Sequence, residues 1–228
     1  FNALNNLRRL AVHHGGVLGD NLREALEGLL PLVDSLRSSV SKNAVLTVAD
    51  LFSGLGKACD AHLPSITAVL LRLGGTSNAF IGESAAMALK SMLDNCSDSR
   101  VLAALVAAAG HRKSGVASQA PLWLDAAAEV MGGGGGTSSP LAQGPTPRLN
   151  ALREKEVVAL LSVGARFAAA GAEETRHSAK RLLVRLHASG VASEGTLATL
   201  SERTADVVRG VWSKGLRNVP LASPTLAL

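Results

Sequence analysis

Arg37, Gly75 and Arg112 fall about 38 residues apart, each in a short polar turn between two apolar helical patterns. The unit is clearest from Ser35 to Gly56, SLRSSVSKNAVLTVADLFSGLG. A polar turn, Ser35 to Ser39, leads into Val40, Ala44, Val45, Val48, Leu51, Phe52 and Leu55. Steps of three and four residues place these side chains on one buried helical face. Gly54 and Gly56 are expected to end the helix. Repeated helix-turn-helix units cannot each bury a face alone, so they must stack, with their internal turns along one edge.

The rest of the chain reads the same way. Phe1 to His14 predicts a helix with Leu4, Leu7, Leu10 and Ala11 inside, broken by Gly15-Gly16. Asp20 is placed as the cap of a helix from Asn21 to Asp34, with Pro31 near its end. Helices are expected over Asp60 to Leu73, with Pro64 near the start, and over Ala79 to Asp94. The latter should be buried through Phe80, Ile81, Ala85, Ala88, Leu89 and Leu93. Ser97 or Asp98 should cap Ser99 to Ala109, and Gly115 to Met131 follows, bent at Pro121. Gly132 to Arg148 is rich in Gly, Ser and Pro and reads as a flexible insert between repeats. Its glycines lack the Lys-Ser/Thr and helix start of a phosphate loop. Leu149 to Ala170, Arg176 to Ala188 and a long helix from Glu194 to Lys214, capped by Ser193, complete the pattern. The fold class predicted is all-α, a solenoid of HEAT-like hairpins in one domain over 1–220, with a tail over 221–228.

Composition narrows the function. The 228 residues are 47% hydrophobic and 18% charged, with a formal charge of +5, which permits an acidic partner. Aromatics make up 3%, too few for the stacking platforms of nucleic-acid binders. No apolar run approaches the roughly 18 residues of a membrane span. Cys59 and Cys96 make no disulfide framework and point to a reducing compartment. Cys59 and His62 lack the further ligands of a zinc site, and Glu173-Glu174 suits a helix start rather than acid-base catalysis. No nucleophile elbow or cofactor motif is present, so no enzyme and no cofactor are expected. Trp123 is placed in packing, and Trp212 against the end of the stack.

The turns carry cations: Arg37 and Lys42, then Arg72, then Arg112 and Lys113, then Arg176, Lys180 and Arg181, with His111 and His177 as further donors. In order, NALNNLRRLA, SLRSSVSKNAVLTVADLFSGLG, GGTSNAFIGESAAMALKSMLDN, HRKSGVASQA and EETRHSAKRLL resemble successive repeats of a TOG domain. The resemblance is to the crescerin type, the TOG-array regulators of axonemal microtubules. CLASP domains are similar but further away. It covers Phe1 to about Pro220, the insert excepted, and implies tubulin binding through the turns, in the cytoskeleton of the cilium. By position it implies contacts from Arg37, Ser38, Val40 and Lys42, from Ser77 and Asn78, from Arg112, Lys113 and Ser114, and from Thr175, Arg176 and Lys180. Three departures stand out. The family's first-turn tryptophan would lie just before Phe1, as expected of a domain cut from a multi-TOG chain. Gly82 replaces a charged residue, and Ala117-Ser118 replaces an arginine. These leave open a scaffold that binds another axonemal protein without tubulin, or a CLASP-type microtubule-associated domain.

Overall fold

The computed structural model describes residues 2–133 and 148–218. Of the expected insert from Gly132 to Arg148, residues 134–147 lie outside the described residues, as do Phe1 and residues 219–228, while Arg148 opens a 3-10 turn. Twelve α-helices occur among the described residues, which hold no strand. The chain is all-α, of HEAT-like helical hairpins, and divides into two compact units, up to Val116 and from Ala117 onward.

The first unit holds α1 (Asn2–His13), α2 (Gly15–Asp20), α3 (Leu22–Val33), α4 (Ser38–Leu55), α5 (Leu63–Gly74), α6 (Ala79–Asn95) and α7 (Asp98–Ala109). Helices α1 and α6 flank α4, α3 packs on α4, and α5 packs on α6 and α7. Leu29, Phe52, Leu63, Leu71, Leu89 and Met92 are sealed inside. Each fully buried side chain of this kind contributes roughly 1.5–3 kcal/mol.

Several expected boundaries move, each for a physical reason. Gly15-Gly16 does not break the chain; it opens α2, and only His14 separates α2 from α1. Asp20 ends α2 rather than capping α3, whose first residue is Leu22. Gly54 lies inside α4; Gly56, with φ of 52°, ends it. A 3-10 turn over Gly56–His62 then delays α5 to Leu63, with Pro64 in its first turn. The buried face of α4 includes Ser41 and Thr47 but not Val40 or Leu55. Their hydroxyls donate to the Val33 and Asn43 carbonyls, each at 2.7 Å, so burial leaves no polar group unpaired. In α1, Leu4 and Ala11 are buried while Leu10 is exposed.

Helix α8 (Ser114–Met131) runs mostly in the second unit, followed by a 3-10 turn at Arg148–Ala151, α9 (Glu154–Phe167), α10 (Glu173–Ala188), α11 (Glu194–Leu197) and α12 (Glu202–Asn218). α9, α10 and α12 pack on one another. The single long helix expected from Glu194 is two. Ser193 does start α11, with its N–H 3.4 Å from Thr196 Oγ1, but the helix ends four residues later. Ser201 opens α12: its hydroxyl lies 2.7 Å from Thr204 Oγ1 and accepts the Thr204 N–H. Trp212 is buried; its indole donates to the Leu183 carbonyl at 2.9 Å and its ring stacks on His187 at 4.1 Å. His187 Nδ1 faces the Ala192 carbonyl at 3.3 Å, so that nitrogen carries the hydrogen.

Candidate functional site

Each turn is built by the helix that precedes it. Pro31 and Val33 close α3, Ser35 Oγ accepts the Arg37 N–H at 3.3 Å, and Arg37 then adopts the extended backbone that starts α4. Leu36 at the tip is fully exposed, and Arg37 and Ser38 are exposed beside it. Val40 and Lys42, one turn into α4, are half-buried. In the next turn Thr76 Oγ1 accepts the Asn78 N–H at 2.9 Å, leaving Ser77 and Asn78 exposed ahead of α6.

Two contacts bring these turns together. Arg72, at the end of α5, pairs with Asp34, at the end of α3. Lys42 places its ammonium 3.5 Å from the centre of the Phe80 ring, well within the roughly 6 Å reach of a cation-π contact. Phe80 was expected in the core and is 48% exposed. One helix position decides this. Ser84, one turn on, takes the inward place, and its hydroxyl donates to the Phe80 carbonyl at 3.1 Å. The result is a half-buried Lys42 lying on an exposed Phe80 ring, with Leu36 exposed at the tip of the turn that opens α4; neither Leu36 nor Phe80 is a contact that the sequence singles out. Arg72 is not a free cation, because Asp34 neutralises it.

Arg112, Lys113 and Ser114 are exposed at the turn before α8, where His111 Nδ1 accepts the Lys113 N–H at 3.1 Å. In the second unit the start of α10 is more internally engaged. Thr175 is 3% exposed, and its hydroxyl donates to the Ser118 carbonyl at 3.1 Å. Arg176 folds back on its own turn, donating to the Ala170 and Gly171 carbonyls at 2.8 and 3.2 Å. Lys180 is half-buried. Arg181 does not belong to the exposed row: it binds the buried Asp125 at 2.7 Å. Arg185 joins Asp125 at 3.3 Å and Glu129 at 3.4 Å. Burial pushes the Asp125 carboxyl above the usual range, against the downward pull of hydrogen bonds and charge from both arginines.

Among the described residues no cluster of His, Cys, Asp and Glu could hold a metal, and no helix is long and apolar enough to cross a membrane. Burial pushes the Cys59 thiol up to about 12, with Asp60 adding to it. Cys96 is likewise pushed up to about 12 by burial, with smaller effects of Cys59 and Asp60. Both are free thiols, poor nucleophiles at neutral pH.

Hairpins of this period, with cations and apolar residues exposed on their internal turns, define a HEAT-like helical-repeat protein. The chain belongs to the CLASP N-terminal family, which matches residues 16–133, just over half its length. It is similar to the mouse TOG array regulator of axonemal microtubules protein 1, 39% identical over 103 residues. It is also similar to the Caenorhabditis elegans crescerin-like protein che-12, 30% identical over 112 residues. The aligned stretches cover 45% and 49% of this chain but 6% and 9% of those proteins. Among solved structures, one from work reporting that crescerin uses a TOG domain array to regulate microtubules in the primary cilium superposes with a TM-score of 0.60. It covers 89% of this chain and 78% of its own, at 14% identity. A second, from work on microtubule plus-end tracking by XMAP215, CLIP-170 and EB1, gives 0.58, covering 96% of this chain and 84% of its own, also at 14% identity. Likeness at that identity speaks for the fold alone.

Proposed function

We propose that this chain is a tubulin-binding TOG domain of a microtubule regulator of the cilium, acting through its turns to favour polymerisation or lattice stability. On this reading Phe1 to Pro220 works as one domain within a multi-TOG chain, binding rather than catalysing. The observation that carries it is Lys42 lying on the exposed Phe80 ring, with Leu36, Arg37, Ser38, Ser77 and Asn78 exposed on the turns that open α4 and α6. An exposed leucine and phenylalanine next to unneutralised cations suit a protein face that is both acidic and partly apolar. A phosphate backbone would leave the apolar residues idle. Arg112, Lys113 and Ser114 would add a further contact from their own turn. Each exposed ion pair is worth well under about 1 kcal/mol alone, so several must act together.

A second reading has one observation in its favour. The Thr175 hydroxyl and the Arg176 Nη1 are engaged within their own unit, which suits a scaffold for another axonemal protein that does not touch tubulin there. Gel filtration with tubulin dimers and pelleting with microtubules separate the two. Co-elution or co-pelleting supports the first reading. Absence of both, with capture of a different axonemal protein, supports the second.

A further inference from the structure

An open groove of about 280 Å³ lies between α1 and α4, lined by Asn5, Arg8, Arg9, Val12, His13 and Asp50. The five residues of α1 stand at helical spacing on one face of it. They do not all play the same part. Arg8 is engaged: its guanidinium pairs with Asp50 and donates to Asn43 Oδ1 at 3.3 Å. That pair cancels the only acid in the lining. Arg9 and His13 are exposed, and neither has an ion-pair partner among the described residues. Val12 between them is 58% exposed, and Asn5 is open to solvent. The groove is therefore left cationic, with an apolar patch and an amide beside the charge.

We infer that this groove binds an acidic peptide. A glutamate side chain can lay its methylenes on Val12 and its carboxylate on Arg9, while Asn5 can pair with a peptide amide. Inorganic phosphate would use the charge and leave Val12 and the Asn5 carbonyl unmatched. The groove is open along its length rather than enclosed, which suits one or two side chains of a chain lying across it better than a small molecule buried whole.

This site is separate from the turns. Asp50 lies eight residues along α4 from Lys42, about 12 Å along the helix axis. That exceeds the roughly 8–10 Å over which exposed charges act at physiological salt. The inference therefore does not rest on the tubulin reading, and either can fail alone.

The test is fluorescence anisotropy of a labelled hexaglutamate peptide with the full 228-residue chain. The wild type should give saturable binding that hexaglutamine does not. Arg9→Glu and Val12→Asp should each weaken it at least tenfold, while Lys42→Glu stays within twofold of wild type. Both groove positions are exposed, so thermal melting should be unchanged. Absence of saturable binding overturns the inference, as does a loss that follows Lys42→Glu rather than Arg9→Glu. Displacement by inorganic phosphate as readily as by unlabelled hexaglutamate would make the groove a simple anion site and overturn its assignment to a peptide.

Discussion

Gly54 has no side chain because α1 leaves no room for one. A methyl group there would come within 2.0 Å of the Ala11 carbonyl oxygen, a backbone atom that cannot rotate away. Gly54→Ala must push α1 off α4 and should cost about 1–3 kcal/mol or more. Urea denaturation reads this directly, and an unchanged midpoint would show that the two helices do not approach so closely. From sequence this glycine is indistinguishable from a helix terminator; only the neighbouring backbone reveals its purpose. Asp125 is a second such residue. Asp125→Ala leaves Arg181 and Arg185 half-satisfied in a site where their side chains are 13% and 14% exposed, and should cost about 3–5 kcal/mol. Asp125→Asn keeps the shape and one acceptor and should cost less. Equal midpoints for wild type and Asp125→Ala would show that the network contributes nothing. Nothing in the spacing of Asp125 and Arg181 betrays the pair, because 56 residues separate them in the chain.

Helices announced themselves in proportion to their periodicity. The stripes of α4, α6 and α7 and the polar turns before α4 and α6 were legible because apolar spacing and turn chemistry agree there. The failures fall where two local signals compete. Ser193 and Ser201 are both good helix starters eight residues apart, and the apolar pattern between them fits one helix or two. The 3-10 turn from Gly56 to His62 is likewise hidden, since its one buried side chain, Cys59, continues an apolar pattern. That turn is held by Cys96 Sγ donating to the Gly56 carbonyl at 3.6 Å and by the Ser97 N–H donating to Asp60 at 3.0 Å. Its thiols supply a test. Their ionisation is raised from 9.0 to about 12 in the fold. The folded state therefore keeps protons that the unfolded chain loses first. Their contribution to stability is intact below about pH 9 and is lost as pH rises toward 12. Iodoacetamide at pH 8 should leave both cysteines unmodified in the folded protein and label both in guanidinium. Rapid labelling of the folded protein would contradict their burial.

At the scale of the whole molecule, the repeat period was the most legible property, because it survives the loss of any single motif. Phe80 shows what the period cannot supply. Its place in the pattern put it inside, whereas one step of rotation along α6 puts it outside, against Lys42. Period fixes which helices meet; it does not fix which side chain lies at the edge of a buried face. The proposed function depends on that edge. Lys42→Glu reverses the charge over Phe80 while leaving the buried face of α4 intact, so the fold should survive it. The direct test is microtubule co-pelleting of Lys42→Glu against wild type, with thermal melting of both. Wild-type binding should fall at least fivefold in the variant at an unchanged melting temperature. Equal binding by the two proteins would contradict the proposed function.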